Sequence, residues 1–353
     1  MDKKESFYWN LVKGTAIFLM LWGHCIQCCS LDIVVYFEDI VFKTIYTFHM
    51  PVFMLISGYL FYHSFRKRNL PDLLEHRIRG MLHPIVMATV LNNILIAFLV
   101  YVLSDRVDIL FGRLFQGIGE DLWFLWAVLY CSLLVGTICK LTDKPALQVL
   151  LILPGAFVIL LFPQWNYTLF MYPYFVAGFF CGRYPEPAKR LYKLVRYAVL
   201  VLFPVMVTFY ESKHYIYVTP MISQELGLAA SMEIASFRWV IGFVGSIWIL
   251  AVMEFLLHMG ERNSAVQMAL NALSCLGKNS LQIYCLSASL LSGYLPVLYR
   301  KFVELAGENL FAENAAVYDF LFTPVLAAVW SVFLYGIVCL MKKCKVHKLF
   351  FGR

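Results

Sequence analysis

Apolar residues dominate this chain in runs of about twenty, separated by short polar segments from one end to the other. A helix needs about 20 such residues to cross the hydrocarbon core of a bilayer, because it rises about 1.5 Å per residue. The runs therefore predict an all-α fold, a polytopic transmembrane bundle of about ten helices. Their expected ranges are 9–29, 44–63, 80–103, 122–140, 146–162, 168–183, 196–211, 236–257, 279–299 and 317–341.

The composition supports a membrane protein. Of 353 residues, 61% are hydrophobic and only 14% are charged, whereas charged residues make up about 25% of a typical soluble domain. No stretch reads as a separate soluble domain, so we expect one integral-membrane domain over residues 1–353. The first span lacks a small-residue cleavage signal, which predicts a retained helix rather than a signal peptide.

The basic residues are distributed unevenly between the predicted loops. When the termini and alternate loops are assigned to one side, most of the 29 Lys and Arg residues collect there. The positive-inside rule then predicts that both termini are cytoplasmic. The net charge of +7 is explained by inner loops facing anionic lipid, so it does not indicate a nucleic-acid partner.

The ten cysteines predict neither a disulfide framework nor a metal site. Most lie inside apolar runs, where cysteine behaves as a small hydrophobic residue. Cys25, Cys28 and Cys29 cluster near one end of the first span, but no ligand set with zinc-type spacing accompanies them.

The first span, KGTAIFLMLWGHC, contains Lys13 and His24. Eleven residues correspond to about 20° past three full helical turns and to a rise of about 16 Å, so both side chains share one face. Lys13 can extend to the cytoplasmic interface, while His24 lies deeper and nearer the outer side. Gln27, one turn further, extends the same stripe.

A second histidine, His49 in TIYTFHMPVFMLISGYLF, is expected at a depth similar to His24, with Pro51 freeing a backbone carbonyl near Thr47. Ionisable residues inside membranes usually face a functional site, and imidazole suits proton transfer near neutral pH. The alternative is that each histidine only ties helices together. These residues alone do not distinguish an enzyme from a transporter.

A basic stretch, FRKRNLPDLLEHRIRGMLHP, follows the second span. Its arginines, Arg77 and Arg79 above all, suit the phosphate oxygens of a cytosolic ligand, although such a loop also anchors any membrane protein by the positive-inside rule. The external segments 104–121, 212–235 and 300–316 combine acidic and aromatic residues. They are candidate contacts for a polar ligand such as a sugar, or ordinary solvated loops.

Five stretches in this order resemble the membrane-bound acyltransferase family 3, and most closely its fucose 4-O-acetylase-like branch. They are KGTAIFLMLWGHC, FHMPVFMLISGYLF, HRIRGMLHP, DLWFLWAVLY and LGKNSLQIYCL. The resemblance covers most of the chain. The basic residue, ten-residue gap and histidine of the first helix is a hallmark of that family, and FHMP with the following SGY is nearly as specific.

The resemblance implies acyl transfer, usually of acetyl, from cytosolic acyl-coenzyme A to a carbohydrate hydroxyl outside the membrane. By resemblance, His24 is the catalytic base and His49 lies beside the reaction centre. Lys13, Arg77 and Arg79 would hold the phosphates of coenzyme A. Gln27, Asn279, Ser280 and Tyr284 are candidates for stabilising the oxyanion or contacting the acceptor.

The chain departs from the family pattern at two positions. Family members often have an Asp where this chain has Asn10, which removes a charge partner of Lys13. The LGKNSLQIYCL pattern often ends in a His where this chain has Ser287, which bears on how the acceptor is held.

The main rival function is a transporter of a polysaccharide or small polar solute, with His24 and His49 relaying protons. The sequence shows no paired Gly- or Pro-interrupted spans of the inverted-repeat kind, which favours the enzyme. It leaves open the acceptor, the acyl group and the oligomeric state, with a homo-oligomer among the alternatives. A bacterial cytoplasmic membrane is the expected location.

Overall fold

A computed structural model describes residues 3–30, 35–104, 122–162, 164–306 and 314–351. Helices connected by short turns and loops make up these ranges, with no strand in any of them. The long helices are α1 (Lys3–Cys29), α2 (Ile40–Phe65), α3 (Leu70–Ser104), α4 (Trp123–Leu141), α5 (Pro145–Ile159), α6 (Trp165–Arg183), α7 (Pro185–Val207), α8 (Thr219–Gly260), α9 (Ser264–Lys278), α10 (Ser280–Ala306) and α12 (Thr323–Lys343). Short α11 (Ala315–Val317) continues through a π-helical turn, Tyr318–Phe322, into α12, and α13 is His347–Phe351. Two 3₁₀ turns, Val35–Phe37 and Ser212–His214, precede α2 and α8.

The all-α prediction is confirmed, and each predicted span overlaps a helix. The structure also contains α9, which the hydropathy pattern did not predict. Fifteen residues of mixed polarity are too short to cross a bilayer, so hydropathy alone does not find this helix. Its start is marked by Asn263, whose side chain accepts hydrogen bonds from the backbone N–H groups of Ala265 and Val266.

Five helices of the described chain are long and apolar enough to cross a membrane. They are Lys3–Cys29, Ile40–Phe65, Trp123–Leu141, Gly227–Gly260 and Ala315–Lys343, and Ser280–Ala288 with Gly293–Leu305, bent by 55°, adds a sixth if it forms one span. Large apolar side chains lie on the protein surface, including Phe157 at 72% exposure and Val332 at 72%. Such surfaces suit lipid rather than water.

The chain divides into two compact units. One comprises residues 1–46, 86–121 and 255–353, and the other comprises residues 47–85 and 122–254. In the first unit, α1 packs against α9, α10 and α12. In the second, α2 and α6 cross closely at Gly58 and Gly178.

α8 is interrupted at Gly227, whose φ of 73° lies in the left-handed region that glycine tolerates best. Four acidic residues of the predicted external segment 104–121, which are Asp105, Asp108, Glu120 and Asp121, lie outside the described residues, as does the side chain of Glu225 in segment 212–235.

Candidate functional site

Lys13 lies where α1 and α9 make their closest approach. A Cβ atom added to Gly14 would lie 1.7 Å from the carbonyl oxygen of Leu273, and one added to Gly277 would lie 1.7 Å from that of Asn10. The two helices cross in opposite directions with their backbones in contact, so only glycine fits at either position. This crossing fixes the position of Lys13 in the first unit.

Lys13 itself is half-buried. In the described parts of the chain, no carboxylate lies within ion-pairing distance of its amine. This agrees with the presence of Asn10 where an Asp was expected. A half-buried ammonium group without a carboxylate partner is suited to binding an anionic ligand.

Asn279 ends α9 and is already engaged in two hydrogen bonds. Its Nδ2 donates to the carbonyl of Cys275 at 2.8 Å, and its Oδ1 accepts from Nζ of Lys342 at 2.5 Å. Because Gly277 faces Asn10, Asn279 belongs to the Lys13 end of α1. His24 lies fourteen residues beyond Asn10, which is about 21 Å along the helix.

Ser280 and Tyr284 occupy the first turns of α10, directly after Asn279. They therefore also begin at the Lys13 end of the unit. The hydroxyl of Ser287, the second departure from the family pattern, donates to the carbonyl of Tyr284 at 2.9 Å. A role of Asn279, Ser280 or Tyr284 in oxyanion stabilisation stays a prediction, and all three residues lie at the Lys13 end of the unit.

The C-terminal half of α1 is held by two hydrogen bonds on either side of His24. Nε1 of Trp22 donates to Oγ1 of Thr323 at 2.9 Å, and the hydroxyl of Tyr318 donates to the carbonyl of Ile26 at 2.8 Å. Trp22 and Ile26 are each two residues from His24, so His24 projects from another side of the helix, about 200° away.

The imidazole of His24 contacts the side chain of Gln27. Nδ1 of His24 lies 3.3 Å from Oε1 of Gln27, and the same oxygen accepts from the hydroxyl of Tyr46 at 3.4 Å. Because an amide oxygen can only accept, Nδ1 carries the proton and Nε2 has the free lone pair. The geometry thus gives His24 the tautomer of a general base that uses Nε2.

Tyr36 joins the same cluster through a hydrogen bond between its side chain and that of Gln27. Tyr36 lies in the turn between α1 and α2, and burial raises the pKa of its hydroxyl above the usual value. It therefore stays protonated near neutral pH. Sequence reasoning identified Gln27 but missed Tyr36 and Tyr46, which come together with it only through the turn between the helices.

In the second unit, His49 is buried at 4% exposure. Its neighbour Phe48 packs edge-on against Phe203 at 5.5 Å and Trp248 at 5.8 Å between ring centroids, which holds α2 against α7 and α8. α2 continues as a helix through Pro51. The expectation that His49 shares the depth of His24 stays a prediction.

The two arginines of α3 have different surroundings. The guanidinium of Arg77 lies over the ring of Phe61, 4.4 Å from its centroid, so Arg77 is half-buried against α2. The side chain of Arg79 is 81% exposed and pairs with Glu75 at 2.9 Å. Of the two predicted phosphate contacts, Arg77 is the more buried.

Comparison with known proteins finds relatives but no solved structure that matches. Nodulation protein NolL of Mesorhizobium japonicum is 27% identical over 178 residues, covering 48% of this chain and 46% of that protein. Nodulation protein NolL of Sinorhizobium fredii is 30% identical over 211 residues, covering 55% of this chain and 53% of that protein. The chain thus spans about half the length of the curated relatives it matches.

The family match is more extensive than these pairwise alignments. The acyltransferase family 3, described as "Acyltransferase domain", matches residues 6–341 and therefore includes both units and every candidate residue above. Together with the apolar helices, this makes the protein a multi-pass membrane protein. The chain belongs to acyltransferase family 3.

Proposed function

We propose that this protein transfers an acyl group, in the simplest case acetyl, from cytosolic acyl-coenzyme A to a hydroxyl of a carbohydrate outside the membrane. Nε2 of His24 removes the proton from the attacking hydroxyl as its oxygen bonds to the thioester carbonyl carbon. The carbon–sulfur bond then breaks, and the proton passes from His24 to the thiolate of coenzyme A. The products are an O-acyl carbohydrate and free coenzyme A.

The observation that carries this proposal is the contact between Nδ1 of His24 and Oε1 of Gln27 at 3.3 Å. It leaves the lone pair of Nε2 available, which a general base requires. A positioned general base typically accelerates such a step by about 10²–10⁴-fold. His24 also lies on the same face of the unbroken helix α1 as Lys13, about 16 Å away.

The donor would bind at the Lys13 end of the first unit. Lys13 is without a carboxylate partner in the described residues, and Lys342 reaches Asn279 beside the same helix crossing. Several ammonium groups near one helix end attract phosphates. By the family resemblance, Arg77 and Arg79 are further candidate contacts for coenzyme A, and acetyl-coenzyme A is the donor we would test first.

The acceptor proposal rests on the family resemblance, and a cell-surface or lipid-linked carbohydrate is its expected class. With both termini cytoplasmic, as the charge bias predicts, His24 lies in the outer half of α1. There it would meet an acceptor hydroxyl from outside, in a bacterial cytoplasmic membrane. His49 would lie beside this reaction centre.

The experiment that tests this function uses the full chain, purified and reconstituted into vesicles in a known orientation. Radiolabelled acetyl-coenzyme A is supplied on the side of the termini, and a mixture of glycosides on the opposite side. We expect labelled carbohydrate and free coenzyme A to form together. Intact acetyl-coenzyme A with passage of unmodified glycoside across the membrane would instead favour a transporter.

A further inference from the structure

Arg238 is a buried cation in the apolar helix α8, for which the reaction above has no use. Its residue is only 8% exposed. Nη1 donates to Oγ1 of Thr219 at 2.9 Å, and the guanidinium lies over the ring of Phe170, 4.9 Å from its centroid. Arg238 lies inside the predicted span 236–257, where the sequence alone indicates no role for it. Its surroundings in the structure indicate a binding role.

The positive charge of Arg238 is not neutralised within the described residues. No carboxylate among them pairs with the guanidinium, and Nε is buried without a hydrogen-bond partner. Glu254, sixteen residues further along the same helix, pairs with Arg196 at 2.9 Å. Burying an unpaired charge costs several kcal/mol, so a bound anion would compensate for a penalty that the protein alone leaves in place.

Thr219 holds one branch of the guanidinium in a fixed orientation. Its hydroxyl lies 2.9 Å from the carbonyl of Tyr215 and 3.0 Å from that of Lys213. Because the single hydroxyl proton is donated to these carbonyls, the oxygen is left to accept from Arg238. One N–H of the guanidinium is therefore used, and the fork retains donors for a ligand.

The backbone around Arg238 is also fastened to α6. The hydroxyl of Tyr174 lies 3.2 Å from the carbonyl of Arg238 and 3.1 Å from that of Trp239, to which it donates. In return, Nε1 of Trp239 donates to the carbonyl of Phe170 at 3.1 Å. These bonds hold the guanidinium above the Phe170 ring before any ligand binds, which reduces the entropy cost of binding.

A row of three contacting aromatic side chains includes two that are close in the chain to Phe170 and Thr219, the residues that hold this arginine. The ring of Tyr167 lies 5.0 Å from that of Trp123 and 5.8 Å from that of Tyr217. All three are half-buried. Tyr167 lies one turn before Phe170 on α6, and Tyr217 lies two residues before Thr219, in the segment that the charge bias places outside. Aromatic walls with a few fixed polar groups are typical of small-molecule sites.

We propose that Arg238 is an anion-binding site that receives a carboxylate or phosphate group carried by the carbohydrate acceptor. The aromatic row would contact the sugar, and the guanidinium fork would bind the oxyanion. The acceptor class would then be an acidic saccharide, a uronic acid or a sugar phosphate, rather than a neutral one. This inference rests on the proposed function, which supplies the carbohydrate.

The test measures binding of small glycosides to the full chain in nanodiscs of phosphatidylcholine, by quenching of tryptophan fluorescence. The probes are methyl glucuronide, glucose 6-phosphate, neutral methyl glucoside and inorganic phosphate. We expect wild-type protein to bind the acidic sugars at least about tenfold more tightly than methyl glucoside, since charge-assisted hydrogen bonds contribute about 1.5–3 kcal/mol. Arg238→Gln should abolish this difference, and Arg238→Lys, which keeps the charge without the fork, should retain part of it.

Folding and the matched control are checked on the same samples. Arg262→Gln, at an exposed position after α8, should bind every probe as wild type does. If Arg238→Gln does not fold, as judged by its melting temperature, Thr219→Val and Arg238→Lys provide the comparison. Equal binding of acidic and neutral glycosides by wild type, or an unchanged preference in every folded site variant, would overturn the proposal.

Two further results separate this inference from its alternatives. If nanodiscs containing phosphatidylglycerol abolish glucuronide binding by wild type, a lipid headgroup fills the site and the acceptor proposal fails. Because binding is measured without turnover, a selective Arg238 site in a protein that transfers no acetyl would leave the anion-binding site standing, without its assignment to an acyl acceptor, and would overturn the proposed function. Acetyl transfer to neutral glycosides at the same rate in wild type and Arg238→Gln would support the proposed function and overturn this inference.

Discussion

Oε1 of Gln27 lies 3.3 Å from Nδ1 of His24 and accepts a hydrogen bond from Tyr46 at 3.4 Å. One amide oxygen thus sets the tautomer of the imidazole and links it to the start of α2. Gln27 can affect the acyl-transfer step without contacting a substrate. It acts as a positioning residue, because it determines which nitrogen of His24 carries the lone pair.

Replacing Gln27 by Leu should reduce acyl transfer without preventing donor binding. Loss of one intramolecular hydrogen bond corresponds to about 0.5–1.5 kcal/mol, or roughly a two- to tenfold lower kcat. The change should appear in kcat rather than in KM for acetyl-coenzyme A, since Gln27 lies far along α1 from Lys13. Steady-state kinetics of the reconstituted protein would measure both.

Tyr46→Phe is the matched variant for that prediction. It removes one donor to Oε1 but leaves the contact between His24 and Gln27, so its kcat should fall less than that of Gln27→Leu. An equal or larger loss of kcat in Tyr46→Phe would show that catalysis depends on the Tyr46 hydroxyl and not on the contact that sets the tautomer of His24.

The crossing of α1 and α9 should tolerate no side chain. In Gly14→Ala or Gly277→Ala, the new methyl group would lie 1.7 Å from a carbonyl oxygen, and the two helices would have to separate. Overpacking of this kind costs about 1–3 kcal/mol and sometimes more. The melting temperature of the purified protein should fall in both variants, and affinity for acetyl-coenzyme A should fall with it because Lys13 moves.

Gly336→Ala provides the control for this crossing. A Cβ atom at Gly336, in α12, meets nothing within 4 Å among the described residues, and alanine favours a helix over glycine by about 1 kcal/mol. This variant should melt at or slightly above the wild-type temperature. An unchanged or higher melting temperature for Gly14→Ala would contradict the close backbone contact between α1 and α9.

The two arginines of α3 should differ in their importance for the donor. Arg77→Gln should weaken acetyl-coenzyme A binding by about tenfold or more, as expected when a charged, half-buried hydrogen-bond donor is lost. Arg79→Gln, at an 81% exposed side chain, should weaken it by no more than about fivefold, as for exposed ion pairs. Isothermal titration of both variants would measure this, and the reverse order would reassign the donor contact to Arg79.

His214 should make the outer segment before α8 less stable in acid. Its Nδ1 accepts a hydrogen bond from the backbone N–H of Glu211 at 2.9 Å, and its residue is only 7% exposed. Burial, and then the charge of Lys213, lower the pKa of His214 below 6.5. Unfolding therefore takes up a proton, and stability that is complete above about pH 6.5 is lost as the pH falls through the folded-state pKa.

Asn replaces His214 in the variant that tests this pH dependence. The asparagine oxygen can accept from Glu211 but does not titrate. Between pH 7.5 and 5.5, the free energy of unfolding should fall more for wild type than for His214→Asn, by up to about 1.4 kcal/mol per pH unit, and the melting temperature should fall more with it. Exposed His258→Asn should keep the wild-type slope. Equal slopes for wild type and His214→Asn would contradict the assignment.

The sequence was sufficient to predict the long apolar helices and the face of α1 that carries Lys13 and His24. Long apolar runs have no alternative to helix in a bilayer, because every backbone polar group must be bonded internally. The 3.6-residue period then places Lys13 and His24 on one side of an unbroken α1. Gln27 followed from the same periodicity.

Other features depend on contacts between segments far apart in the chain. α9 has too few apolar residues to register as a span, yet its Gly277 meets the backbone of α1. The hydrogen bond from Lys342 to Asn279 joins residues 63 positions apart. A contact over that separation leaves no periodic pattern in the sequence. Arg238 was visible as a charge in an apolar helix, but only the structure shows that Thr219 and Phe170 hold it.

The most direct test of the central claim is acetyl transfer by His24→Ala in reconstituted full-length protein, with His258→Ala as the control histidine. We expect that His24→Ala still binds acetyl-coenzyme A but forms labelled carbohydrate about 10²–10⁴-fold more slowly than wild type, while His258→Ala is unchanged. Transfer by His24→Ala within about threefold of wild type, which corresponds to less than about 1 kcal/mol of transition-state stabilisation, would show that His24 is not the base.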